Sequence, residues 1–344
     1  MPVARSVETG MTAVKPVIAV LGAGSWGTAL AVLIARNGYR TLFWGHDAAR
    51  QAHLAHDREN ARYLPGVRFP ENLFIREDLL ETAEEASQLL LVVPSHAFRA
   101  TLDALKSKLS ADAIVAWATK GLEPATGQLL SQVAADVLGE GRALGVISGP
   151  TFAKEVAHGL PTAITVAARE PATAEAIAAW LRSDRVRVYT STDMVGVELG
   201  GAIKNVLAIA TGISDGLGLG ANARAALITR GLAEMRRLTE ALGGKPETVM
   251  GLAGIGDLVL TCTDNQSRNR QVGLALGKGR KLQVTLAEIG QVAEGVATAR
   301  EVRQLAQRMQ VDMPITEQVY RVLFEGVSPQ TAVEALLKRE VRPE

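Results

Sequence analysis

Cysteine is nearly absent: Cys262 is the one cysteine in 344 residues. A disulfide within the chain is thereby excluded, which fits a reducing, cytoplasmic setting. Net charge is nearly absent as well, because 37 Lys and Arg stand against 36 Asp and Glu, leaving +1. Without a basic excess there is no electrostatic footprint for nucleic acid, although a small anionic ligand needs only one or two placed cations. No apolar run is expected to reach the roughly 18–20 residues that a bilayer span takes. The opening MPVARSVETGMTAV lacks the apolar core of a signal peptide, so residues 1–14 are expected to be a flexible leader. Metal-ligand spacing is missing too. His53 and His56 lie three apart in a polar stretch, and no Cys, His and carboxylate cluster accompanies them. No Gly-x-Ser-x-Gly elbow is present, which removes the commonest hydrolase signature.

What is there is a globular composition, 47% hydrophobic and 21% charged. The length suits two domains. Short apolar runs at 17–22, 41–45, 89–94, 114–121, 144–150, 162–168 and 186–190 alternate with helical segments. Runs apolar on both faces and separated by helices suit the buried strands of a parallel sheet. Past Thr190 the apolar spacing turns to i, i+3, i+4 with no further strand run. The expected architecture is α/β: a sheet domain over 15–191, then a mainly α-helical domain over 192–344. In the second part, AALITRGLAEMRRLTEALGG stops on a glycine pair, and Ser328-Pro329 reads as an N-cap and first helical position.

Two stretches carry chemistry. VIAVLGAGSWGTALAVLIARNG reads as strand, Gly22-x-Gly24-x-x-Gly27, then helix. The first glycine permits the tight turn, the second lets backbone approach a pyrophosphate, and the third packs strand on helix. The spacing alone is weak, but here it opens a βαβ unit, its required context. The tip of the next strand offers Gly45 and His46, with Asp47 and Arg50 close by. With no acid directly at the tip, the 2′-position of the ribose stays undecided between NAD and NADP.

The second stretch is VELGGAIKNVLAIA, where Lys204 shares its helical face with Val197, Gly200, Gly201, Leu207 and Ala208. A lysine at a helix edge ordinarily snorkels to water. Here the two glycines mark a close approach by another group, and Asn205 adds a polar neighbour. GLAGIGDLVLTC places Asp257 in apolar surroundings, and an ion so placed needs a partner; Lys204 is the candidate. Ser267, Arg268 and Asn269 supply a hydroxyl, a guanidinium and an amide in succession, the groups that hold a phosphate. A dinucleotide loop, a desolvated lysine and an anion site together suggest alcohol–ketone redox on a small phosphorylated molecule. The same residues leave open a dehydrogenase of another small hydroxyacid or phosphosugar, and a non-catalytic dinucleotide sensor.

The ordered motifs GAGSWGTALA, VVPSHAFR, ATKGLE, SGPTFAKEVA, ELGGAIKNVLAIATGISDGLGLGANARAALITRG, GLAGIGDLVLTCT, SRNRQVG and VAEGVATA span about Lys15 to Lys338. In this the chain closely resembles bacterial-type NAD(P)-dependent glycerol-3-phosphate dehydrogenases. The resemblance implies a Rossmann-type domain followed by a helical domain of the 6-phosphogluconate dehydrogenase C-terminal kind. It implies reversible reduction of dihydroxyacetone phosphate to sn-glycerol 3-phosphate with NADP or NAD, feeding glycerophospholipid synthesis, in a cytoplasmic homodimer. It casts Lys204 as proton donor and acceptor, with Asp257 its partner and a substrate contact, and Lys120 near both substrate and nicotinamide. It carries Gly149, Thr151, Ser267, Arg268 and Asn269 over as substrate contacts. Gly22, Gly24, Gly27, Ser25, Trp26, His46, Lys120, Ala153, Arg268, Val292 and Glu294 fall at cofactor positions.

Overall fold

The computed structural model describes residues 15–340, so the leader expected over 1–14 lies outside the described residues. Eight strands form one sheet: β1 (Ile18–Leu21), β2 (Thr41–Trp44), β5 (Leu73–Arg76), β6 (Gln88–Leu91), β7 (Ile114–Trp117), β8 (Leu144–Ser148), β9 (Thr162–Ala168) and β10 (Val186–Ser191). A separate antiparallel pair, β3 (Glu59–Asn60) and β4 (Leu64–Arg68), lies between β2 and β5 in the chain. The order in the main sheet is β10-β9-β8-β7-β6-β1-β2-β5. From β1 the chain builds outward through β2 to β5, then returns to place β6 on the other side of β1. That reversal opens a crevice beyond the carboxyl ends of β1 and β6, where open α/β sheets hold their ligands.

Alternation along the strands feeds two cores. Ile18 and Val20 face α1 (Ser25–Arg36) and α7 (Pro171–Leu181); Ala19 and Leu21 face the layer of α4 (Ser95–Leu105) and α5 (Leu130–Leu138). The remaining helices of this half are α2 (Ala48–Asp57), α3 (Leu79–Glu85) and the short α6 (Ala153–Ala157).

One sequence expectation is corrected here, and one strand was not foreseen. The sheet is not wholly parallel, because β9 runs antiparallel to β8 and takes β10 with it. The connection carrying α6 stays at the ligand edge against α1 instead of crossing a sheet face, so the chain comes back down the sheet. Strand β5 was not legible as an apolar run: LFIR is a half-exposed edge whose Phe74 faces solvent.

Beyond Ser191 the described residues are helical: α8 (Met194–Gly216), α9 (Gly220–Ala241), α10 (Pro246–Val249), a π-helical turn Leu252–Gly256, α11 (Asp257–Thr263), α12 (Arg268–Gly277), α13 (Leu282–Ile289), α14 (Glu294–Arg308), α15 (Pro314–Phe324) and α16 (Pro329–Leu337). Ser328 caps α16 with Pro329 at its first turn, as its sequence predicts. The long α8 is the axle of this half and is buried on every side from Gly196 to Ser214. By length and composition it could cross a membrane, contrary to the sequence expectation, but 94% of its apolar window is buried within the fold.

Helices α8 and α12 touch backbone to backbone. A Cβ added at Gly273 would stand 2.1 Å from the Ile209 carbonyl oxygen, and one at Gly212 would stand 2.3 Å from that of Arg270. Gly216 and Gly277 repeat the contact one turn on. Only glycine permits such an approach, and it seats the first turn of α12 beside Lys204.

Candidate active site

A cleft of about 1290 Å³ runs between the sheet edge and the helical half. Its floor on one side is the turn after β1. Gly22 holds φ +127°, and a side chain there would stand 2.5 Å from the Val92 carbonyl oxygen. Gly24 leaves open space around its Cα, and α1 begins without a side-chain cap, so its first amides face the cleft. The indole Nε1 of Trp26 is buried without a partner. Open space, free amides and an orphan donor fit the pyrophosphate of a dinucleotide. Ser25, Gly27, His46, Lys120 and Ala153 line the same cleft.

At the tip of β2, His46 is exposed and Asp47 is turned to local duty. The Asp47 carboxylate caps α2, accepting from the Arg50 amide at 3.1 Å. That backbone hydrogen bond, with the positive charges of Arg50, His46 and Arg62, holds its carboxyl below the usual range. Asp47 lines the cleft beside His46 and Arg50, with one carboxylate oxygen committed to the α2 cap and the other 3.3 Å from the Arg50 guanidinium.

The chemical centre lies deeper. Lys204 is 5% exposed and Asp257 fully buried. The Lys204 ammonium donates to Oδ1 of Asp257 and to the Thr261 hydroxyl at 3.0 Å. Lys120, in the loop after β7, donates to the other oxygen, Oδ2, at 3.1 Å. One carboxylate thus serves two ammonium groups, leaving the cluster with one net positive charge. Burial, then the nearby charge of Lys120, bring Lys204 down to about 7, against the opposing pull of Asp257. Burial also presses on Lys120, but Asp257, followed by hydrogen bonding to its neighbours, outweighs it and holds Lys120 above its ordinary value.

The glycines flanking Lys204 are explained by neighbouring protein groups. Gly200 abuts the Ala253 carbonyl in the π-helical turn, at 2.2 Å from where a Cβ would stand, and Gly201 abuts the Ser148 hydroxyl. The π turn ends at Gly256 and delivers Asp257 as the first residue of α11, a placement that such turns commonly serve.

The anion side is the start of α12. The Ser267 hydroxyl caps that helix, accepting from the Arg270 amide at 3.2 Å while its own hydrogen stays available. Arg268 reaches Gln291 at 3.2 Å, and Asn269 Oδ1 accepts from the Gly295 amide at 2.9 Å, keeping its amide hydrogens for the cleft. Ser267, Arg268 and Asn269 all line the cleft, whereas Arg270 is turned away to Asp215 at 2.5 Å. Val292 and Glu294 close the far rim.

Two expected contacts fall outside the wall. Gly149 turns at φ +136° against the backbone of Ile164, and Asp257 sits behind the two lysines. Asp257 is the partner of both lysines. Sequence reasoning missed Thr261, Gln291 and the cleft position of Asn205. Thr261 was open to discovery, being one helical turn after Asp257. Gln291 sits in a loop with no periodic signal.

The comparisons with known proteins agree with this geometry. Family models described as "NAD-dependent glycerol-3-phosphate dehydrogenase N-terminus" and "C-terminus" match residues 17–174 and 193–334. Glycerol-3-phosphate dehydrogenase [NAD(P)+] of Methylococcus capsulatus is 59% identical over 328 residues, 95% of this chain and 98% of the relative. The enzyme of the same name from Aeromonas salmonicida is 58% identical, with the same coverage. A crystal structure of glycerol-3-phosphate dehydrogenase from Coxiella burnetii superposes with a TM-score of 0.92 at 50% identity, covering 94% of this chain and 99% of the other. The dinucleotide turn, the paired lysines on Asp257 and the start of α12 thus stand in a chain that belongs to the NAD-dependent glycerol-3-phosphate dehydrogenase family.

Proposed function

We propose that this chain reduces dihydroxyacetone phosphate to sn-glycerol 3-phosphate, reversibly, with Lys204 as the proton donor to the ketone oxygen. The observation that carries the reading is a desolvated lysine on a buried carboxylate, set between a dinucleotide turn and an Arg-bearing helix N-terminus. A bound NADPH or NADH is the hydride source for C2. As negative charge grows on the C2 oxygen, the Lys204 ammonium stabilises it and then gives up a proton, becoming a neutral amine. Lys120 keeps its proton and supplies fixed positive charge. Asp257 orients both ammonium groups. The first turn of α12, with the Arg268 guanidinium and the hydrogens of Ser267 and Asn269, holds the phosphate.

Roles at Gly22, Gly24, Gly27, Ser25, Trp26, His46, Ala153, Val292 and Glu294 belong to the cofactor half of this reading. Thr151 belongs to the substrate half. The division falls at 191/192, between the end of β10 and the start of α8. The same reading extends to a cytoplasmic homodimer that supplies glycerophospholipid synthesis. Purified protein assayed for NADPH and NADH oxidation against phosphorylated and unphosphorylated ketones and against keto acids tests it. Turnover confined to dihydroxyacetone phosphate is expected. Reduction of a keto acid with dihydroxyacetone phosphate ignored would sink the substrate assignment.

A further inference from the structure

Helix α14 lies along the loop that carries Lys120. Its first residue, Glu294, shares the cleft wall with Lys120. One turn on, the Thr298 hydroxyl stands 3.3 Å from where a Gly121 Cβ would be, and Gly121 itself turns at φ +103°. A further turn on, Glu301 Oε2 accepts from the Leu122 amide at 3.4 Å. At the end of the helix, Arg308 donates to the Thr126 and Gly127 carbonyls at 2.6 and 3.0 Å. The helix and loop thus meet at four successive heights, and the catalytic lysine sits at one end.

Within this row Glu301 is anomalous. It is 3% exposed, and among the described residues no ion pair reaches it. A buried acid with no cation in contact, Arg300 acting on it only at a distance, costs stability, and an apolar residue of the same size would pack more cheaply. What the acid provides that an apolar residue cannot is an acceptor for the Leu122 amide, two residues past Lys120. We propose that Glu301 is a positioning residue for Lys120: by holding the Leu122 amide it fixes where the Lys120 ammonium stands against Asp257 and the substrate. The inference rests on the reading that Lys120 acts at the reacting carbonyl. Burial pushes the Glu301 carboxyl up to about 7, so the acceptor oxygen, present in both protonation states, is the feature the loop uses. Glutamine preserves that oxygen and leucine deletes it.

A double-mutant cycle in the full-length enzyme tests the idea. Glu301→Leu is expected to lower kcat for dihydroxyacetone phosphate about tenfold or more, since small misplacements of a catalytic group are costly. Glu301→Gln is expected to stay within about twofold of wild type, and cofactor affinity should hold in both. In a Lys120→Met background, Glu301→Leu is expected to change kcat by less than about twofold, because its effect passes through the missing ammonium. Equal losses in both backgrounds, or a Gln variant as impaired as the Leu variant, would overturn the proposal while leaving Lys120 in place. Wild-type turnover in Lys120→Met would instead overturn the Lys120 assignment, and the proposal with it. If Glu301→Leu folds poorly, the longer and more adaptable Glu301→Met serves the same cycle.

Discussion

Asp257 is shared by two ammonium groups whose proton affinities differ: burial and the charge of Lys120 bring Lys204 down to about 7, while Asp257 outweighs burial at Lys120 and holds it high. Ketone reduction needs Lys204 protonated at the start, so kcat for reduction should fall as pH rises through about 7. Alcohol oxidation needs the free amine and should rise over the same window. A pH profile rising in both directions of reaction would contradict the assignment. Lys204→Met keeps length and packing and leaves Asp257 paired with Lys120, so the fold and NADPH binding should survive. Turnover should drop by roughly 10²–10⁴, the worth of general acid–base catalysis. A folded variant retaining more than about a tenth of wild-type turnover would return Lys204 to a structural role. Arg268→Ala should raise the KM for dihydroxyacetone phosphate by about tenfold or more, a charge-assisted hydrogen bond being worth on the order of 1.5–3 kcal/mol. Unphosphorylated dihydroxyacetone should be affected far less, and equal impairment on both would show that Arg268 does not read the phosphate. Much of this centre was legible because Lys204, Asp257 and Arg268 break the local pattern around them. Lys120 was reached only through resemblance, since a lysine after a strand is unremarkable until the fold brings Asp257 to it from more than a hundred residues away.

At the scale of elements, the crossing of α8 and α12 decides where the phosphate site sits. The glycines at 212, 216, 273 and 277 let two backbones touch, and the first turn of α12 follows from that contact. Gly273→Ala adds a methyl 2.1 Å from the Ile209 carbonyl, so the helices must separate. A loss of roughly 1–3 kcal/mol in stability is expected from overpacking, with a raised KM for the phosphorylated ketone. Gly141→Ala, where nothing lies within 4 Å of the added methyl, is the control. Unchanged Tm and KM in Gly273→Ala would show that the α8–α12 contact does not set the phosphate site. The alternation of strands and helices was readable before the structure, because buried strands are apolar on both faces. Strand direction was not: TAITVAA has the same pattern whichever way it runs, and only the path of the α6 connection sets β9 against β8.

For the molecule as a whole, three buried carboxyls shape the response to pH. Burial raises Glu198, Glu234 and Glu301 to about 7 from an ordinary value of 4.5. Between those values the folded chain holds protons that the unfolded chain has released, so stability is lost as pH rises through the window. Lys204, lowered to about 7, acts only above that point. Glu85, Glu123 and Glu175, held below 4.5 by their arginine partners, withdraw support on the acid side. Tm should therefore peak near pH 5 and fall by several degrees towards pH 7. Glu234→Gln, which keeps an acceptor oxygen for the start of α15, should flatten the decline; a Tm rising from pH 5 to 7 would refute the account. The burial of α8 on every side carries a consequence for how the gene can drift. A helix packed on one face accepts substitutions in a wave of about 3.6 residues. Along Gly196–Ser214 there is no solvent face to supply the crests. A library of all single substitutions, selected for growth that depends on this enzyme, should therefore show a flat trough across α8. Along α16, where Ala332 is the one buried residue, the same library should show broad tolerance.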